Sequence, residues 1–447
     1  MMPPASSDIY GTTEIRDTIR HGPMSRFQLA AVAICSFLNM IDGFDVLVMA
    51  FGSSSVAAEW RLSGRQLGVL LSAGLFGMTA GSLFLAPWAD RFGRRAMVLV
   101  GLTTCSVGML LSAFARNPIE LSALRVVTGI GIGGMLASMN VITAEYASDR
   151  WRSAAVSLQA TGYPVGATLG GSIAALLITH YGWRSLFVFG AFVSASMIPV
   201  VLWRLPESLD FLLDKRPHNA HAKLNALLRG MNRPEVPALP ARELETRGGD
   251  LAKPGGSALR RLFAKGAVGS SMLIALSFFL QMFTLYFVLS WTPKLLVTAG
   301  LSREQGISGG VLLNVGGIVG GTLFSYLSGR FGSQHLTSSA MLLAAVTLGF
   351  CGFFARDLSL AYFFAVTVGA FNFAAMVGLF SMTPGLYPAS IRATGMGWAL
   401  GMGRVGAILS PLITGILVDC GWVGAKLYYA FAIPVIGAAI AMRAIRT

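Results

Sequence analysis

Apolar runs of about 20 residues recur along the whole chain, each long enough to cross a bilayer as a helix. Of the 447 residues, 54% are hydrophobic and 12% charged, so a soluble fold would have to hide a dozen such runs in its cores. Composition points instead to an all-α integral membrane protein. Reading each run against its flanking charges predicts spans over 27–51, 66–87, 96–115, 119–145, 153–179 and 184–204. A second set follows over 268–292, 305–328, 335–355, 358–386, 393–417 and 424–443. The chain thus divides into an N-terminal tail (1–26), a six-helix bundle (27–204), a linker (205–266) and a second six-helix bundle (267–447). The linker is rich in Lys, Arg, Pro and Gly, with one short helix expected near Ala220 to Leu228.

A net charge of +14 would suit nucleic acid, but the basic residues alternate between loops in the pattern of the positive-inside rule. One set of loops holds Arg16, Arg20, Arg26, Arg91, Arg94, Arg95, Arg150, Arg152, Arg330, Arg392 and Arg443, together with the basic residues between Lys215 and Lys265. The other set is poorer. Both termini are therefore expected in the cytoplasm, with the protein in a bacterial inner membrane. The tail mixes acids and bases before a long apolar run without a cleavage site, so the first helix is expected to be retained. Cys35, Cys105, Cys351 and Cys420 show no metal-ligand spacing, and neither a disulfide nor a metal or other cofactor is expected.

An internal repeat supports two related halves. Gly77 matches Gly316, Gly81 matches Gly320, and Arg91-Phe92-Gly93 matches Arg330-Phe331-Gly332, all at one offset. A looser match sets Tyr146 to Arg152 beside Tyr387 to Arg392.

Charge inside the apolar spans marks the chemistry. Asp42 and Asp45 stand one turn apart in the first span, where a carboxylate costs about 2.5–3.5 kcal/mol on insertion scales. From the predicted boundaries they lie about 5–9 Å to the outer side of that helix's midpoint, and Arg125 about 10 Å outward in the fourth span. The three are level. Pairing follows, either as a fixed structural ion pair or as a working site. Two acids against one arginine leave one carboxyl uncompensated and free to load a proton. Arg404, among Gly401, Gly403 and Gly406 in the eleventh span, is the expected clamp for an organic carboxylate, because a planar cation that stays charged suits bidentate recognition. The bland alternative is an arginine capping nearby helix carbonyls. Arg125 is a further candidate to contact the substrate, and Phe279, Gln281, Phe283, Tyr286, Asn314, Phe371, Asn372 and Phe373 are candidates to stack on or hydrogen-bond an aromatic ring. Asn39, Asn140 and Gln159 also require partners inside their spans, and Gly162-Tyr163-Pro164 with Gly166, Gly170 and Gly171 predicts a kink and close packing.

On the other side of the membrane, Asp90, Arg91, Arg94, Glu145 and Arg330 form an expected gating network. Exposed pairs worth about 0–1 kcal/mol each can hold in one state and break in another. Ala89-Asp90-Arg91-Phe92-Gly93-Arg94-Arg95 resembles the loop signature of the major facilitator superfamily, and Pro206-Glu207-Ser208 fits it as well. Asp42-Gly43-Phe44-Asp45, with Arg392-Ala393-Thr394-Gly395 and Gly403-Arg404, is similar to the aromatic acid:proton symporter family, whose members import benzoates and hydroxybenzoates. The pattern departs at Ala86, where a glycine is usual, and at Gly329, which leaves Arg330 without the usual neighbouring carboxylate. The resemblance implies the twelve-helix major facilitator fold and a monomeric, lipid-embedded symporter of protons and an aromatic carboxylate, working by alternating access and not as an enzyme. An antiporter exporting amphipathic compounds and a non-transporting chemosensor are the alternative classes.

Overall fold

The computed structural model describes residues 12–239, 262–263, 268–354, 357–388, 391–422 and 424–445. The predicted tail and linker fall outside the described residues at 1–11, 240–261 and 264–267. Among the described residues, twelve helices are long and apolar enough to cross a membrane. The first six are Arg26–Trp60, Gly64–Phe84, Arg94–Ala113, Pro118–Tyr146, Asp149–Tyr181 and Arg184–Arg204. The second six are Val268–Thr298, Arg303–Phe331, Ser333–Phe353, Leu358–Met382, Arg392–Asp419 and Ala425–Ala444. Arg26 and Ala444 lie on one face of the bundle, the terminal face; Gly64 and Asp419 lie on the far face.

Packing reproduces the sequence repeat residue by residue. A methyl group added at Gly77 or Gly81 in the second span would run into the backbone carbonyls of Val126 or Ile130 in the fourth. At Gly316 or Gly320 in the eighth span it would meet the carbonyls of Val366 or Ala370 in the tenth. Gly166 in the fifth span closes in the same way on Met40 of the first, and Gly406 in the eleventh on Phe279 of the seventh. Each contact in one half has its counterpart in the other. Without a hydrophobic drive inside lipid, such small-residue contacts are what lets helices associate. The second and eighth spans even start alike, with capping boxes of Ser63 with Gln66 and Ser302 with Gln305.

The halves meet through the second and eleventh spans and through the fifth and eighth. Beginning at the far face, Gly64 approaches Gly415, Gly68 approaches Pro411, Ser72 Oγ donates to Ile408 O at 2.8 Å, and Arg404 reaches Met78. Thr179 Oγ1 donates to Glu304 at 2.9 Å on the other seam. Beyond Arg404 the helices separate: Gly401 and Gly397, one and two turns nearer the terminal face, are exposed with nothing within 4 Å of an added methyl. Among the described residues, the molecule is closed at the far face and open along this seam toward the terminal face.

Three sequence expectations are adjusted. The first span ends at Trp60 rather than near residue 51, because Gly52 packs against Trp183 and Leu186 and Ser53, Ser54 and Ser55 are buried, so small polar residues extend the helix instead of ending it. Its midpoint is therefore Gly43, which puts Asp42 and Asp45 at mid-helix and not displaced outward. The tail contains a helix, Thr12–His21, which buries Ile15 and Ile19 and sets Arg16 Nε 3.0 Å from Asp210. The linker holds the expected helix at Ala220–Gly230 and another at Leu209–Lys215, which begins where Ser208 accepts from the Phe211 N–H.

Candidate functional site

Asp42 and Asp45 are 1% and 0% exposed. They occupy the half of the first span that packs on the fifth, where Gly43 is pressed against the Tyr163 carbonyl and leaves no room for a side chain between them. Among the described residues, neither Asp45 carboxylate oxygen has a hydrogen-bond partner, nor has Asp42 Oδ1. Arg125, 1% exposed, does not take up these oxygens. Its Nη2 donates to the backbone carbonyl of Asp45, its Nη1 lies 3.1 Å from Met109 Sδ, and its guanidinium sits 5.9 Å from the Phe187 ring centre. The expected neutralisation thus acts through space, from Arg125 onto Asp45. A carboxyl facing no donor can gain a proton without breaking an ion pair. Beside Arg125 there is a void of only about 10 Å³, lined in part by Met49, Gly74 and Met78. Benzene needs a cavity of about 150 Å³, so in this arrangement Arg125 cannot contact an aromatic substrate from that side.

Arg404 lies elsewhere. From the eleventh span its Nη1 donates to Met78 O of the second span at 3.2 Å, and the half-buried side chain stands where the two helices part. It is within electrostatic reach of Asp42 and of Tyr286 on the seventh span. Tyr163 on the fifth span is within reach of both Asp42 and Tyr286, and its hydroxyl is buried without a partner among the described residues. One acid, two phenols and one guanidinium, drawn from four helices and both halves, therefore share a single locality. Tyr163 entered the sequence reading only as part of a kink. The signal that could have found it is a hydroxyl inside an apolar span next to Pro164, where the helix has lost a backbone donor.

The other candidates divide. Gln281 Nε2 donates to both the backbone and side-chain oxygens of Asn372 at 3.2 Å, tying the seventh span to the tenth, while its Oε1 stays unpartnered. Asn314 Nδ2 bonds Gly310 O at 2.9 Å, and its Oδ1 has no partner. Phe373 packs over Gly317 of the eighth span, inside its own half. Phe279 stacks on Phe283, and Phe283 on Phe431 with ring centres 5.0 Å apart, so these rings form a wall joining the seventh and twelfth spans. Phe279 and Phe283 are half-buried and next to the turn that bears Tyr286. Phe371 is half-buried in the tenth span. Asn39 donates to Gln159 O at 2.6 Å and Gln159 to Asn140 at 2.8 Å, a chain joining the first, fifth and fourth spans.

At the terminal face, Arg94 is the hub of the expected network. It pairs with Glu145 at 2.7 Å and Asp90 at 3.6 Å, and it donates to Ser208. Glu145 also accepts from Ser208 Oγ at 2.9 Å and from the Leu209 N–H at 3.0 Å. Glu207 receives the Arg95 N–H at 3.0 Å, and Tyr146 Oη donates to the Glu207 carbonyl at 2.6 Å. Glu207 and Ser208 were legible only as part of a motif; the structure makes them members of the network. All of these groups belong to the N-terminal bundle or to the first residues of the linker, Glu207 to Leu209. Arg91 lies over Phe92 at 5.6 Å, and Arg330 lies 5.3 Å over Tyr326, with Nη2 3.3 Å from its hydroxyl, which is where the cation lacking a neighbouring carboxylate rests.

Two six-helix bundles built on one repeat, with ionisable and aromatic side chains gathered at their seam, define a multi-pass membrane transporter of the rocking type. The chain belongs to the major facilitator superfamily, whose profile matches residues 32–348. It is 32% identical to a gallate transporter of Pseudomonas putida over 99% of this chain and 96% of that protein. It is 29% identical to the 4-hydroxybenzoate transporter PcaK of Pseudomonas aeruginosa over 94% and 93%, and 27% identical to a benzoate transport protein of Acinetobacter baylyi over 91% and 86%. Among solved structures, the inward open xylose transporter XylE from E. coli shares the fold with a TM-score of 0.73 at 18% identity, covering 94% of this chain and 96% of that one.

Proposed function

We propose that this protein imports an aromatic carboxylate together with protons across the bacterial inner membrane, with both termini in the cytoplasm. The observation that carries the reading is the cluster of Asp42, Tyr163, Tyr286 and Arg404 at the seam of the two halves, beyond which the seam opens. Relatives covering nearly the whole chain bear the names of gallate, 4-hydroxybenzoate and benzoate transporters, which favours a ring bearing a carboxylate. Arg404 holds the anion, its bond to Met78 giving way or turning to the substrate; Tyr286 and Tyr163 face the ring. Asp42 or Asp45 takes a proton from outside, and Arg125 biases the balance between them. The network around Arg94 and Glu145 latches the N-terminal half at the cytoplasmic side.

Coupling requires that proton and anion each favour the other's binding. Asp42 and Arg404 supply that link, because protonating the acid frees the cation's field for the incoming carboxylate. The test is uptake by purified protein in liposomes under an imposed pH gradient, with benzoates, cinnamates and aliphatic diacids. Gradient-driven accumulation of the benzoates supports the reading, and binding without accumulation, or export driven by the gradient, overturns it.

A further inference from the structure

A cavity of about 940 Å³ opens at the terminal face between the N-terminal helix, the start of the first span and the start of the fifth. Its rim carries Arg20, His21 and Arg150 against one acid, Asp149, and Arg150 stands 5.7 Å over the ring of exposed Trp151. Deeper, the wall is apolar: Leu29, Val32, Ala154, Ala155 and Leu158. None of these residues belongs to the seam or to the Arg94 network.

The apolar wall continues into the lipid-facing surface. Leu158, Leu169 and Leu176 in the fifth span are all strongly exposed and recur at spacings of three and two helical turns, so they form one stripe along the helix. Gly171 and Thr179, which face the eighth span, lie on a different side of the same helix. The stripe therefore faces the bilayer, and the cavity is its upper end, roofed by the N-terminal helix. A groove with cationic rim, an interfacial tryptophan and an apolar floor open to lipid fits a head-and-tail molecule of negative charge. We propose that this cavity binds an anionic phospholipid, its phosphate held by Arg20 and Arg150 and one acyl chain lying along Leu29 and Leu158. Asp149 has a cationic partner in Arg152, 3.8 Å from it.

Native mass spectrometry of the delipidated full-length protein, titrated with dioleoyl-phosphatidylglycerol or dioleoyl-phosphatidylcholine, tests this. The expected result is a preference for phosphatidylglycerol that weakens by about fivefold for each arginine removed in Arg20→Ala and Arg150→Ala. Arg443→Ala, which removes an exposed cation from the same face far from the cavity, should leave it unchanged. Ala154→Trp, which fills the floor without altering charge, should displace the lipid as well. Equal retention of both lipids, an unchanged preference in the Arg20→Ala/Arg150→Ala variant, or a preference that falls as much in Arg443→Ala, would overturn the assignment. This outcome is independent of what the transporter carries.

Discussion

Asp419, at the last residue of the eleventh span, accepts the backbone N–H groups of Gly64 and Arg65 at 2.6 and 2.8 Å, so one carboxylate of the second half caps the first turn of a helix in the other. Unpaired N–H groups and the positive end of a helix favour an anion there, by up to about 1 kcal/mol at an exposed site. The bond exists only while the far face is closed. Asp419→Asn should therefore shift the equilibrium toward the far-face-open form by about fivefold, read as faster labelling of a cysteine placed at Ser72 by an impermeant maleimide. An unchanged labelling rate would mean that the cap does not bias the gate.

Arg404→Lys separates charge from shape. Lysine keeps a cation but loses the planar fork, so the Met78 bond and bidentate binding cannot both be replaced. Transport should persist with KM for a benzoate raised by about tenfold or more, while Arg404→Ala abolishes it. Equal KM in the lysine variant would assign Arg404 to helix packing.

The fold was legible because its signals are local. Apolar length and flanking charge located every span, and the repeat read from Gly77 and Gly316 has a counterpart in the structure, where both glycines pack on matched carbonyls. The site was legible only in part. Asp42, Asp45, Arg125 and Arg404 stand out because charge is rare in lipid, whereas Tyr163 does not, since its role depends on which way its helix is rotated. Spacing also could not say that Arg125 would bond the Asp45 backbone instead of a carboxylate, a choice fixed by a few ångströms of helix approach. The end of the first span was misjudged for a related reason: the predicted span stops at residue 51, ahead of the polar run Ser53, Ser54 and Ser55, which is buried in the structure where Gly52 packs on Trp183 and Leu186.

Asp42 and Asp45 should divide the labour of proton coupling. If uptake requires a protonated carboxyl on entry, the initial rate falls as external pH rises, since fewer transporters are loaded. Substituting the coupling acid by Asn, a permanent mimic of the protonated form, flattens that profile and uncouples the gradient while counterflow exchange survives. Asp42→Asn is expected to do this, because Asp42 alone is within reach of Arg404. Asp45→Asn should act more weakly on the pH profile and more on stability, as it disturbs the balance with Arg125. Full gradient-driven accumulation in both variants removes them from the mechanism.

Glu145 joins the fourth span to both the start of the third and the segment after the sixth, through Arg94, Ser208 and Leu209. Glu145 and Arg94 side chains are 8% and 17% exposed, so removing the acid leaves a largely buried cation with Asp90 at 3.6 Å as its remaining carboxylate among the described residues, beside the Ser208 hydroxyl. Glu145→Ala should lower stability by about 2 kcal/mol, visible as a lower melting temperature in detergent. Glu145→Gln, whose single amide oxygen can still accept from Arg94 and Ser208 while its NH2 replaces the acceptor of the Leu209 N–H, should lose less than Glu145→Ala. A melting temperature unchanged in both would mean that the network contributes nothing to this conformation.

The matched glycines give the sharpest test of the two-fold relation. A methyl at Gly77 would press on Val126 O, and one at Gly316 on Val366 O, so each substitution forces apart a helix pair that is the counterpart of the other. Overpacking of this kind costs about 1–3 kcal/mol. Gly77→Ala and Gly316→Ala should therefore destabilise the protein by similar amounts. Because the two sites lie in different bundles without a shared contact, the double variant should lose close to the sum of the two. Gly349, where an added methyl finds only ordinary contact with the Tyr429 ring, is the control, and Gly349→Ala should be neutral or slightly stabilising because alanine is the better helix former. A large loss at one matched glycine and none at the other would show that the repeat survives in sequence while the halves have diverged in packing.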